Sequence, residues 1–179
     1  FTPFRVTIPD FLRVHQNWIF MKIGVLSDTH IPIPHPALPA KVFELFQDVD
    51  LILHAGDIVG LELLEELRAL APVEAVAGNM DDLEAHQKLS DKKVLHLGKH
   101  RVGLIHGKYK IDIQRDMILK EFENVDLIVY GHSHHAFFGK HGGVLFLNPG
   151  SPTDKVHAPY NSVAILTLGD DISAEIIRI

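Results

Sequence analysis

The chain has 179 residues, 46% of them apolar and 22% charged, the profile of one compact soluble domain with a sizeable core and not of a disordered or fibrous protein. Its formal charge of −6 argues against generalised nucleic-acid binding through phosphate neutralisation, and no window approaches the run of about 18 apolar residues that a membrane helix needs. Cysteine is absent, which excludes disulfides, thiolate metal sites and cysteine nucleophiles together and fits a cytoplasmic location.

Residues 1–20, FTPFRVTIPDFLRVHQNWIF, precede Met21 and lack the continuous apolar segment and small-residue cleavage site of a signal peptide. They read as an N-terminal extension to a domain over 21–179. The aromatic residues Phe1, Phe4, Phe11, Trp18 and Phe20 predict that this arm covers an apolar surface or a neighbouring subunit, so that a homo-oligomer is expected. From Lys22 onward, short apolar runs at Lys22–Ser27, Asp50–Gly56, Pro72–Asn79 and Asp126–Gly131 are continuous where a half-exposed strand would alternate, which predicts strands buried on both faces. Amphipathic stretches at Leu38–Phe46, Leu61–Leu70 and Ile113–Phe122 lie between them and predict crossover helices. Lys93–Gly98 and His100–Gly107 predict a hairpin; Ala136–Asn148 predicts a second one turning at Gly142-Gly143, and SVAILTL and SAEIIRI close the chain as strands. Strand–helix alternation followed by a strand-rich last third predicts two sheets packed together with helices outside.

Each predicted strand ends in residues suited to chemistry: Ser27-Asp28-Thr29-His30, His54-Ala55-Gly56-Asp57, Gly78-Asn79-Met80-Asp81, His106-Gly107 and Gly131-His132-Ser133-His134. In open α/β sheets, loops beyond the carboxyl ends of the strands converge on ligands. Oxygen and imidazole donors without sulfur suit Mn, Fe, Zn, Ni or Co. Seven such groups exceed the needs of one tetrahedral ion, and a carboxylate between two sub-sites would bridge a pair. Two divalent ions held by two aspartates leave the pocket about plus two, which draws phosphate oxygens. Ion pairs about 3.5–4 Å apart lower the pKa of bound water and clamp the oxygens of an in-line displacement.

In this order the motifs D-T-H, G-D, G-N-M-D, H-G and G-H-S-H resemble the calcineurin-like metallophosphoesterases, and LNPGSPT (Leu147–Thr153) resembles their small bacterial and archaeal phosphodiesterase branch. The resemblance spans roughly residues 21–179. It implies an α/β fold, a four-layer α-β-β-α sandwich of two packed mixed sheets flanked by helices. It implies that Asp28, His30, Asp57 and His134 hold one ion and that Asp57, Asn79, His106 and His132 hold the other, with Asp57 as the bridge. Asp57, Asn79 and His132 are expected to be the catalytic members, and manganese leads the candidate metals. His132 and His134 lie two apart, a spacing that in an extended loop directs both rings into one pocket. His135 is expected to face away.

One departure bears on the substrate. Where many phosphomonoesterases of the superfamily place a histidine after Gly-Asn, this chain has Met80, which cannot protonate a leaving alkoxide. A small phosphodiester is therefore the expected substrate. Phosphomonoesterase or nucleotidase activity on the same site is the alternative, as is a non-catalytic interaction protein, since the retromer scaffold subunit shares the fold. No G-X-S-X-G elbow and no Walker loop occurs, which argues against serine-nucleophile and P-loop chemistry. Asp81 reads as a support for the site or as a helix cap, His54 as a support or a packed core residue, and His35 as a loop spacer. His15, His86, His96, His100, His141 and His157 read as surface or packing residues.

Overall fold

A computed structural model describes residues 20–179; the expectation that the aromatic arm covers a surface, and His15 with it, falls on residues 1–19, outside the described residues. Ten strands and four helices follow one another as β1 (Met21–Leu26), α1 (Ala40–Leu45), β2 (Leu51–His54), α2 (Glu62–Arg68), β3 (Val73–Ala75), α3 (Leu83–Lys88), β4 (Lys92–Leu97), β5 (His100–Ile105), α4 (Gln114–Leu119), β6 (Leu127–Val129), β7 (Phe137–His141), β8 (Val144–Asn148), β9 (Ser162–Leu168) and β10 (Ile172–Arg178) among those residues. They form two five-stranded sheets, ordered β10-β9-β1-β2-β3 and β4-β5-β6-β8-β7. Each has a parallel core of three strands, β1-β2-β3 and β5-β6-β8, with the remaining strands antiparallel. Both sheets are therefore mixed, and the predicted α-β-β-α sandwich is the observed architecture.

Side-chain alternation explains the continuous apolar runs. Leu51 and Leu53 of β2 and Leu127 and Val129 of β6 point into the core between the sheets, while Ile52 points to the layer under α1 and α2 and Ile128 to the layer under α4. Both faces of each central strand are thus taken out of water, which the period of two makes visible only as unbroken hydrophobicity. α2 buries Leu63, Leu64 and Leu67 and turns Glu65 and Glu66 to solvent, a core helix with an acidic outer face as its spacing predicts. Gly24 in the middle of β1 leaves room for Phe46, whose ring would lie 2.8 Å from a Cβ placed there.

Several expectations need correction. The apolar run Pro72–Asn79 is strand only over Val73–Ala75; its second half leaves the sheet and forms the loop that carries Asn79, with Ala77 N–H donating to Ser90 O at 3.0 Å. α3 has no apolar stripe to announce it, since only Ala85 is buried and Leu83 is 74% exposed. Its N-cap is Asp82, which accepts from Ala85 N–H at 2.8 Å, and not Asp81. No helix among the described residues is long and apolar enough to cross a membrane.

Candidate metal centre

The parallel strands of both sheets end on one side of the sandwich, and the loops leaving β1, β2, β3, β5 and β6 bring all seven predicted site residues together there. The β1 and β2 loops run side by side, with Asp28 N–H donating to Gly56 O and His30 N–H to Asp57 O, each at 3.0 Å. The β6 loop crosses to the other sheet, where His132 N–H donates to both carboxylate oxygens of Asp28 at 3.0 and 3.1 Å. His106 Nδ1–H makes a second crossing, donating to Ala55 O at 2.8 Å. Asp28, Asp57 and His106 are almost fully buried.

Asp28, His30, Asp57, His132 and His134 all have positive φ, between 48° and 70°. L-residues pay roughly 1–3 kcal/mol for such conformations, which persist where the surroundings enforce them and cluster at functional sites. The expectation that His132 and His134 share an extended loop is thereby corrected: each sits in a left-handed turn. Their rings still reach the other candidate ligands, His132 Nδ1 lying 2.9 Å from Asn79 Oδ1 and His134 Nε2 3.3 Å from Asp28 Oδ1. His135 is exposed.

Two compact donor groups emerge, Asp28/His30/His134 and Asp28/Asp57/His106, with the ligating atoms of each within 4.8 Å of one another. Asp57 Oδ2 faces both sides, 3.2 Å from His106 Nε2 and 3.7 Å from His30 Nε2. Asn79 Oδ1 lies 3.2 Å from His106 Nε2. The tautomers are fixed from behind. Because Ala55 O can only accept, His106 carries its proton on Nδ1 and turns a lone pair at Nε2 toward the Asp57 carboxylate. His134 is set the same way, its Nδ1–H donating to the Asp154 carboxylate and its Nε2 aimed at Asp28. A lone pair facing a carboxylate oxygen makes an attractive contact only with a positive charge between them, either a proton on Nε2 or a bound cation.

The electrostatics agree. Burial lowers the His106 pKa, but the contact with Asp57 and the charge of Asp28 outweigh it and raise the pKa. Burial likewise opposes protonation of His134, but Asp28 and Asp154 push it up to about 9. Burial would raise the Asp57 pKa, yet contact with His106 and the Met80 N–H hold it below the usual carboxylate range. His30 Nε2 is buried without a hydrogen-bond partner among the described residues, and burial lowers its pKa, which favours the neutral imidazole that a metal ion takes. Buried nitrogen and oxygen donors with no sulfur, aimed at one another, fit a pair of divalent ions.

Residues other than the seven candidate ligands hold these loops. Asp81 accepts from Ile58, Val59 and Gly78 N–H at 2.6–2.7 Å, tying the Asp57 loop to the Asn79 loop; it supports the site. Gly78 lets the two loops approach closely, since a Cβ there would lie 2.2 Å from Asp57 N. Gln114 and Asn148 both donate to Gly131 O at 3.0 Å. Asp154 lies one residue past the LNPGSPT stretch and in none of the motifs. His157, read as a surface or packing residue, stands with its ring centroid 6.0 Å from that of His134.

His54 lies behind the site, its Nε2 3.1 Å from Thr29 Oγ1 and its Nδ1 without a partner among the described residues. Burial depresses its pKa to about 3, against about 6.5 in an unfolded chain. The unfolded chain therefore takes up this proton first as pH falls, so the stability from neutral His54 is complete above about pH 6.5 and is lost toward pH 3. Urea midpoints measured in chelator across that window are expected to fall with a slope shallower by up to one proton in His54→Gln. Equal slopes would show that His54 titrates freely.

Two mixed sheets with Asp and His donors at their shared edge, arranged in two clusters with capacity for a dinuclear centre, define a metal-dependent phosphoesterase of the α-β-β-α class. The chain belongs to the calcineurin-like phosphoesterase superfamily, whose domain matches residues 21–171. It is 42% identical over 164 residues to a probable metallophosphoesterase of Methanothermobacter thermautotrophicus, covering 88% of this chain and 92% of that one. It is 30% identical over 144 residues to a phosphodiesterase of Methanocaldococcus jannaschii, covering 73% and 83%. Among solved structures, Vps29 of Entamoeba histolytica complexed with Zn2+ is 27% identical with a TM-score of 0.70, covering 88% of this chain and 99% of that one.

Proposed function

We propose that the chain is a phosphodiesterase in which Asp28, His30, Asp57 and His134 hold one divalent ion and Asp57, Asn79, His106 and His132 the other. The shared role of Asp57 is supported by its Oδ2, which faces His106 on one side and His30 on the other. Asp28 belongs to both compact groups and brings the second negative charge. When bound, such an ion pair lowers the pKa of water and offsets charge on phosphoryl oxygens. Asn79 is exposed and His132 half-buried, so these two stand on the open side where a phosphoryl group arrives and orient it.

The preference for a diester is carried by Met80. It follows Asn79 at the mouth of the site and is 58% exposed, and a thioether has no proton to give a leaving alkoxide. Diesters with good leaving groups do not need that proton. The phosphodiesterase relative points the same way. Metal content measured on gently purified protein, with turnover of an aryl diester, an aryl monoester and an alkyl monoester over several added metals, tests the proposal. Manganese or a neighbouring transition metal is expected to support diester cleavage, a chelator to stop it, and re-addition of metal to restore it. Met80→His is expected to raise the alkyl monoester to aryl diester ratio by about tenfold or more, a fraction of the 10²–10⁴ that a placed general acid contributes. An unchanged ratio would count against the diester assignment. The likeness to Vps29 favours a second reading, a metal-holding interaction protein; two bound ions with no turnover of any ester would select it.

A further inference from the structure

We propose that Asp154 is a positioning residue for one half of the centre: acting through His134, it sets the affinity of the ion held by Asp28, His30 and His134 and leaves the other ion nearly untouched. The inference rests on the two-ion reading above.

Asp154 cannot itself be a ligand, because its carboxylate is already surrounded by donors. Oδ1 accepts from Val156 N–H at 2.8 Å and His157 N–H at 3.2 Å. Oδ2 accepts from His157 and Ala158 N–H, both at 3.1 Å, and from His134 Nδ1–H. The chain from Ser151 to Ala158 is thereby curled around one carboxylate. Its front end grips the β1 loop: Ser151 Oγ donates to Asp28 O at 2.7 Å and Thr153 Oγ1 to Thr29 O at 2.8 Å. Ser151 Oγ also accepts Asp154 N–H at 3.0 Å, and Asn161 Nδ2 donates to Asp154 O at 2.6 Å. One strap following β8 therefore fixes the backbone of Asp28 in one sheet and the ring of His134 from the other.

The Asp154 carboxylate itself reaches one side, since His134 is the site residue it bonds. Among the described residues, no hydrogen bond from 151–158 reaches Asn79, His106 or His132, whose partners are Ala55, Asp28 and one another. A carboxylate behind a ligating imidazole fixes the tautomer and the ring direction and raises the basicity of the far nitrogen, and loss of such a partner typically weakens metal binding 10–100-fold. An alanine at 154 removes all three effects from His134, while the Asp57/Asn79/His106/His132 half keeps every hydrogen bond it has.

Stepwise binding measures this directly. Protein stripped with chelator is titrated with Mn2+, and in parallel with Co2+, by calorimetry against a competing chelator, with elemental analysis of the loaded protein and a thermal melt of the stripped one. Wild type is expected to take two ions. Asp154→Ala is expected to weaken one of them by about 10–100-fold and to change the other by less than about threefold. Asp154→Asn keeps an acceptor for the Val156 and His157 N–H groups and loses the charge; it remains folded even if the alanine variant does not, and is expected to show the same one-sided loss at smaller size. A purely structural role would lower the melt and shift both ions together or neither, and either result overturns the proposal. Two ions bound with wild-type affinities by both variants would overturn it alone; fewer than two ions in wild type would overturn the two-ion reading and this inference with it.

Discussion

Asp57→Asn is expected to lower diester hydrolysis at least about 10³-fold while the protein stays folded. The substitution keeps the size and planarity of the side chain and removes one negative charge from a position 2% exposed. Oδ1 is already committed to Met80 N–H at 2.7 Å, so Oδ2 is the atom that faces His30 and His106. An amide rotated to keep the Met80 bond would point its NH2 group, a donor, at the place where a cation is to sit. A 10³-fold loss corresponds to about 4 kcal/mol of barrier, in line with the several kcal/mol ascribed to charge stabilisation by a metal centre. The stability cost is smaller. His106 and the Met80 N–H favour the ionised form of Asp57 over its burial penalty, so the stripped variant is expected to melt a few degrees lower, at about 2–4 °C per kcal/mol for a chain of this size. Turnover and a melt in chelator decide it. Full activity removes the shared ligand from the mechanism; collapse of the melt makes Asp57 a fold residue first.

The sequence exposes the site because strands buried on both faces leave few reasons for Asp, Asn or His to stand at their ends, and here all five strand-end loops carry them. The fold is legible for the same reason: Leu51 to Leu53 and Leu127 to Val129 feed two cores each, as strands covered on both faces do, and the strand-rich last third points to a second sheet. What supports the site is not legible. Ser151, Thr153 and Asp154 act across the chain on residues more than a hundred positions earlier or on His134, yet read locally as a turn. Asp81 and Asp82 are neighbours with different tasks, one holding two loops and the other capping α3, and both are common turn residues. Left-handed backbone at Asp28 and His134 breaks the local preference of L-residues, so no propensity argument finds it; tertiary bonds impose it. β3 is overestimated because Val76 is apolar for burial in the core between the sheets, while the register of β3 with β2 ends at His54 and Ala75.

Gly131→Ala is expected to weaken both ions, where Asp154→Ala weakens one. A Cβ at this position would lie 1.8 Å from Ser27 Oγ and 2.9 Å from Asp28 Oδ2, far inside van der Waals contact. Gly131 cannot retreat: its N–H donates to His106 O at 3.1 Å and its carbonyl accepts from Gln114 and Asn148. The displacement therefore falls on Ser27 and Asp28, which move together because Ser27 Oγ–H donates to Asp28 Oδ2 at 2.6 Å. Asp28 is common to both donor groups, so shifting it opens both. Overpacking of this kind costs about 1–3 kcal/mol, a fall of several degrees in the melt. Ser27→Ala removes the atom in closest conflict, and in the double variant it is expected to restore part of the stability and metal uptake that Gly131→Ala loses, a positive coupling in a double-mutant cycle. Wild-type affinity for both ions in Gly131→Ala, or strictly additive effects in the cycle, would show that the two sheets can part at this point without disturbing Asp28.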